Sequence, residues 1–198
     1  RIELLECGAA YFPALEREID AARHEIHLET YILHDDASAR RVIAALIRAA
    51  ARGVSVRLAI DGFGTPRLSP DLAAMLEASA VELRIFRPER RRFSLDRRRL
   101  RRLHRKLAVI DADRAFVGGI NLLDDRVDPN HGALDHPRLD YALLVRGPLV
   151  ADARRAVRQL WEALLSPGLL RVWRGGREAQ ARRGAAEPPD AGARTAEA

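Results

Sequence analysis

Apolar positions along this chain switch repeatedly between a period near two and a period near 3.6, the signatures of strand and helix. IELL at residues 2–5 reads as a short strand. From Tyr11 onward, Phe12, Leu15, Ile19 and Ala22 fall on one helical face. EIHLETYIL, residues 25–33, is a strand candidate. The helix expected from Ala39 to Arg52 gathers Val42, Ile43, Leu46 and Ile47 on its apolar side, and Gly53 stops it. VSVRLAI, Val54 to Ile60, returns to strand. Ser69 then offers an N-cap with Pro70 at the first helical position, where the missing proline N–H costs nothing. Strands follow at 81–86, 106–111 and 114–118, another runs from Leu139, and a helix from Leu149 to about Leu165 closes the periodic part.

Strands alternating with helices predict an α/β fold whose helices cover a mixed, mostly parallel central sheet. Residues 1–173 are expected to form one domain. Residues 174–198 are polar, rich in Pro, Gly and Ala and free of aromatics, so they are expected to be a disordered tail or linker. No internal repeat is visible.

Charge and cysteine use narrow the picture. The net charge of +6 over 198 residues suits an anionic partner: nucleic acid, a membrane surface or a phosphorylated substrate. A single cysteine, Cys7, excludes an internal disulfide framework and suits a cytosol-facing domain. No apolar run reaches membrane-span length, and no signal-type segment opens the chain. Its first residue is Arg1 rather than methionine, which reads as a fragment boundary and leaves room for an upstream anchor.

Chemistry concentrates in HRKLAVIDADRAFVGGIN, His104 to Asn121. Lys106 is the only lysine among 34 basic residues. Side chains two apart on a strand share a face, so His104 and Lys106 project together and Arg105 points away. After the second strand, the GGIN turn brings Asn121 and glycine backbone N–H groups to the strand ends, where backbone approaches an anion closely. Imidazole, ammonium, carboxamide and bare amides together make a phosphate pocket containing a nucleophile. An ammonium is a compact point charge, which explains lysine where a guanidinium fork does not fit.

HRK, four residues, Asp111, six residues, then GGIN resembles the H-x-K-x4-D-x6-G-[G/S]-x-N signature of the phospholipase D superfamily at every fixed position. Residues 1 to about 173 are also similar to the amino-terminal half of bacterial cardiolipin synthase-like enzymes, in IELLECGAAYFPAL, HLETYIL, AIDGFGT and DYALLVRGP. The resemblance implies a phospholipase D-like α/β/α sandwich and a ping-pong phosphodiester chemistry with no metal and no cofactor. It implies that His104 is the nucleophile or general acid, with a phosphohistidine intermediate. Lys106 and Asn121 would bind phosphate, helped by Gly118 and Gly119, the latter standing where many relatives have serine. Asp140 aligns with an acid that holds the second ring nitrogen of the histidine. Asp111 belongs to the signature, yet its place at the far end of the strand suggests turn formation rather than chemistry. The superfamily uses two such motifs face to face. Neither His131 nor His136 sits in a second H-x-K, so a second half, from a longer chain or a second copy, is expected.

The stretch from Arg87 to Arg105 carries ten arginines interleaved with Phe93, Leu95, Leu100 and Leu103. Arg91, Arg92, Arg98, Arg101 and Arg102 are expected to meet anionic phospholipid, phosphatidylglycerol or similar, beside the site mouth. That places the protein peripherally on the cytoplasmic face of a bacterial inner membrane, with nucleic acid the less favoured partner. The function expected is phosphatidyl transfer; the alternatives are a homodimeric nuclease of the same superfamily and a non-catalytic anionic-lipid-binding half-domain. Elsewhere the signals are mostly structural. HDD at 34–36 suits a turn and N-cap better than a metal, and His24 and His27 are structural, whereas DGFG at 61–64 is a loop at a strand's carboxyl end, a usual position for substrate contacts. Glu29 either orients substrate or pairs with arginine, Trp161 is core, and Trp173 could touch a lipid interface.

Overall fold

The computed structural model describes residues 1–87 and 102–165. Chain order runs β1 (Ile2–Glu6), α1 (Cys7–Asp20), β2 (Glu25–Thr30), α2 (Ala37–Ala51), β3 (Ser55–Asp61), α3 (Pro70–Glu77) and β4 (Glu82–Phe86). It continues with β5 (Lys106–Ile110), β6 (Arg114–Gly118), a small hairpin of β7 (Val127–Asp128) and β8 (Gly132–Ala133), β9 (Tyr141–Arg146) and α4 (Leu149–Leu165). Seven strands form one sheet in the order β1-β9-β6-β5-β2-β3-β4.

The sheet is mixed, as the α/β pattern predicts, but its parallel share is smaller than expected. Among the described strands of this sheet, only β2–β3 and β3–β4 pair in parallel; β1–β9, β9–β6, β6–β5 and β5–β2 are antiparallel. The cause is local. Helical crossovers link β2, β3 and β4, whereas β5 and β6 are joined by a turn at 111–113 too short to reverse the chain twice.

Helices cover both faces. Leu15 and Ile19 of α1 and Val42, Ile43 and Leu46 of α2 pack against Ile26, Leu28, Ala108, Ile110 and Phe116. On the opposite face, Val150 and Val157 of α4 meet Leu107, Val109, Ala115 and Val145. Strand β5 therefore alternates its apolar side chains between two covered faces, which is why all five of its residues are buried. Ser69 caps α3 by accepting the Leu72 N–H at 3.2 Å, with Pro70 inside the first turn as the sequence predicts.

Two boundaries move for a physical reason that bears on the site. The first helix starts at Cys7 instead of Tyr11, because the Gly8 N–H at its amino end is taken by Asp125. Strand β2 stops at Thr30, three residues early, because Ile32–His34 leave the sheet to pair with Asn121 and Leu122. No helix among the described residues is long and apolar enough to cross a membrane. The tail at 174–198, Trp173, and Arg91, Arg92, Arg98 and Arg101 lie outside the described residues.

Candidate active site

One end of the sheet collects the expected chemistry, because β2, β3 and β6 finish there and β5 and β9 begin. His104 lies two residues before the start of β5 and is exposed. Lys106, the first residue of β5, is 8% exposed. Its Nζ lies 3.3 Å from the His104 Nε2 and donates to the His104 carbonyl at 3.1 Å. The two side chains thus share a face, as period-two spacing requires. An ammonium can only donate, so a hydrogen bond at this contact requires a lone pair on Nε2. Burial pulls the Lys106 ammonium below its ordinary value and the Asp140 carboxylate works against that shift.

Arg105 points the other way. Its guanidinium meets Glu29 at 2.9 and 3.0 Å and the Ala156 carbonyl of α4 at 3.3 Å. This answers the two options left open for Glu29: the residue is 4% exposed and pairs with arginine. Burial raises its carboxyl to about 7, with the Arg105 charge and hydrogen bond opposing.

Asn121 sits where the GGIN turn carries it. Its Oδ1 accepts the Ile32 N–H at 3.0 Å, so the side-chain NH2 remains as the donor for an anion. The glycines do something different from what the sequence suggests. The Gly119 N–H is already donated to the Tyr141 carbonyl at 2.9 Å and is not free for phosphate. A Cβ on Gly119 would run into Asp140 Oδ1, and one on Gly118 would strike the backbone of Tyr141 and Ala142. Both glycines serve close packing of β6 on the start of β9.

Asp140 also departs from expectation. Its Oδ1 accepts the N–H of Tyr141 at 2.7 Å, and among the described residues no hydrogen bond joins it to His104. Its influence on the site is electrostatic and falls on Lys106. Asp111 stands at the opposite end of β5 and takes no part in the cluster. Its carboxylate accepts the backbone N–H groups of Arg23, His24 and Glu25 at 2.9, 2.8 and 3.1 Å. Burial opposes its charge, but these three donors and Arg114 outweigh burial and hold the carboxyl below its ordinary value.

Three contributions come from residues the motif does not contain. Tyr31 places its ring 4.9 Å from the imidazole, tilted by 55°, and 5.3 Å under the Lys106 ammonium. Phe63 is 48% exposed and lies 4.2 Å beneath the Arg102 guanidinium at the rim. Asp61 is fully buried and accepts the N–H of Leu103, one residue before His104, at 2.7 Å. All three follow the rule that ligand-contacting groups gather beyond strand ends, the only signal in the sequence that could have found them.

The HDD segment forms no metal cluster. Asp36 caps α2 through the Ala39 N–H at 2.9 Å and also takes the Asp124 N–H, while Asp35 pairs with Arg40. No group of metal-ligating side chains occurs among the described residues. Trp161 is 6% exposed, with the His27 ring edge-on at 6.4 Å and Arg84 stacked at 5.0 Å, a core position as expected.

Residues 15–134 match the family described as cardiolipin synthase, PLD-like domain. The chain belongs to that PLD-like family. Cardiolipin synthase B of Shigella flexneri is 36% identical over 197 residues, covering 90% of this chain and 47% of the relative. The PLD-like chain thus spans about half the length of the curated relatives it matches. Among solved structures, Nuc from Salmonella typhimurium, a phospholipase D family member, aligns with a TM-score of 0.59 at 20% identity, covering 82% of this chain and 94% of that one. NucT from Helicobacter pylori aligns at 0.60 and 14% identity, covering 82% and 96%. These likenesses support the PLD-like α/β sandwich.

Proposed function

We propose that this PLD-like chain contributes one half of the active site of a phosphatidyltransferase. The observation that carries the proposal is the 3.3 Å contact between the Lys106 Nζ and the Nε2 of an exposed His104, at the open end of the sheet. In this reading His104 attacks the phosphorus of an anionic phospholipid such as phosphatidylglycerol. The P–N bond forms as the P–O bond to the leaving alcohol breaks, and the leaving oxygen takes its proton from a second histidine. Lys106 and the Asn121 NH2 stabilise charge on the phosphoryl oxygens. An alcohol acceptor then gives its proton to the second histidine as its oxygen displaces His104 from phosphorus, the P–O bond forming as the P–N bond breaks, and both imidazoles return to their starting states. No metal or cofactor is required.

The second histidine belongs to a partner half carrying its own H-x-K. The length of the curated relatives supports this, and so does the surface. Leu4, Leu143 and Val117 stand in register across β1, β9 and β6 and are 62%, 37% and 42% exposed. They continue the face that α4 covers farther along, and a contiguous apolar strip of this kind suits a protein partner. The site mouth, with Arg102 over Phe63, faces a substrate held in a membrane; a peripheral position on the cytoplasmic face of a bacterial inner membrane is the placement this chemistry suits.

The test is turnover. With the second half supplied, the chain should convert vesicles of labelled phosphatidylglycerol to cardiolipin, and samples denatured rapidly at neutral to mildly alkaline pH, where a P–N bond survives, should hold label on His104. His104→Ala should lose both signals while keeping its circular dichroism spectrum. Cleavage of single-stranded DNA with no lipid product would point to the nuclease alternative, and vesicle binding without turnover to a binding half-domain.

A further inference from the structure

Asp61 ends β3 with a carboxylate that is 0% exposed. Its Oδ1 accepts the N–H groups of Phe63 and Gly64 at 2.8 and 3.1 Å, and its Oδ2 accepts that of Leu103 at 2.7 Å. Two oxygens are thus shared among three backbone donors, two in the 62–65 turn and one on a segment 42 residues away in sequence. Leu103 precedes β5, outside any strand ladder, and this bond ties the backbone just before the imidazole to the end of β3, beside the packing of the Leu103 side chain on Ala59, Trp161 and Leu164. The turn that Asp61 organises reaches His104 by a second route. Gly64 lies so close to Tyr31 that a Cβ there would strike the Tyr31 carbonyl and ring, and Tyr31 in turn packs its ring 4.9 Å from the imidazole.

We infer that Asp61 is a positioning residue for His104, setting the imidazole from two sides, through the Leu103 N–H along the chain and through the 62–65 turn behind Tyr31. The inference rests on the reading of His104 as the reacting group. A carboxylate is needed because the position is met by donors only, three backbone N–H groups. In Asp61→Asn the single oxygen can keep the turn, and the NH2 is then set against the Leu103 N–H, donor facing donor. The clamp on the chain is lost while the fold retains its turn. A displaced reacting group costs rate more than binding.

The experiment has a structural arm and a kinetic arm. In the structural arm, the His104 ring protons of the 198-residue chain are assigned by comparison with His104→Ala, and their displacement by the Tyr31 ring is read from NMR spectra. Asp61→Asn should move these signals, whereas Ser69→Ala, which removes the cap of α3 and destabilises a remote helix, should leave them in place. In the kinetic arm, with the second half and phosphatidylglycerol vesicles present, kcat should fall roughly 10- to 100-fold with KM held within about twofold. Unmoved His104 signals in Asp61→Asn, or equal movement in Ser69→Ala, would overturn the inference. So would a loss confined to KM. Should Asp61→Asn fail to fold, hydrogen exchange in the unaltered chain decides: the Leu103 amide should be protected by at least about 100-fold, and fast exchange there removes the clamp. The NMR and exchange arms involve no substrate, so a failure of the lipid reading leaves them informative.

Discussion

Lys106 is the one lysine in a chain that otherwise uses arginine for every basic position. Its surroundings account for the choice. The ammonium sits within 3.3 Å of the imidazole, 3.1 Å of the His104 carbonyl and 5.3 Å of the Tyr31 ring centre, a space that suits a point charge and crowds a planar fork. Lys106→Arg should therefore lower kcat by roughly 10²–10³-fold despite equal charge, measured as cardiolipin formation. A rate near that of the unaltered protein would show that the site needs only a positive charge. Gly119 is legible in the sequence as part of the motif, yet its reason for being glycine appears only when β6 lies against Asp140. Gly119→Ser should cost about 1–3 kcal/mol of unfolding free energy in urea titrations, and combining it with Asp140→Ala should recover part of that loss. Full additivity of the two costs would mean that the carboxylate is not the obstacle.

At the scale of an element, β2 carries two buried titratable residues, His27 and Glu29, on the face that α4 covers. Burial, helped by the Arg57 charge, pushes His27 from 6.5 down to about 4, while burial pushes Glu29 from 4.5 up to about 7. The fold keeps both groups neutral where the unfolded chain would charge them. As pH falls from 6.5 towards 4, the unfolded state gains a proton on His27 that the folded state refuses, and stability drops. As pH rises from 4.5 to 7, the unfolded state releases the Glu29 proton first, and stability drops in that direction, each arm amounting to about 3 kcal/mol. The two slopes oppose each other between pH 4.5 and 6.5, so Glu29→Gln should turn a nearly flat profile there into one in which stability rises with pH, read by urea unfolding. An unchanged slope would place its origin elsewhere. The apolar alternation of β2 was readable, but this antagonism was not: it depends on α4 and β3 covering the strand, and neither is its neighbour in sequence.

Across the whole molecule, what could be read from the sequence divides by distance along the chain. His104, Lys106 and Arg105 were placed correctly by period-two spacing because their relation is local to one strand. Tyr31, just past β2, packs on the imidazole and Asp61, at the end of β3, bonds the residue before it, so only the strand order reveals them. The exposed strip of Leu4, Leu143 and Val117 is likewise assembled from three strands distant in sequence. Leu143→Glu should weaken co-purification of the two halves at least about tenfold and abolish turnover, while the chain alone keeps its unfolding midpoint. Undiminished pairing would move the partner surface to another face. Asp111 gives the motif's spacing a second meaning. With Ile26 to Glu29 matched against Ile110 to Leu107, and the Asp111 N–H and carboxylate fastened to Glu25, Arg23 and His24, the aspartate works as a ruler stop for β5. Adding or removing one residue between Lys106 and Asp111 would rotate the histidine and lysine onto the α4 side. The four-residue gap is therefore a mechanical tolerance, and a shortened variant should lose its chemistry while all its reactive groups are still present.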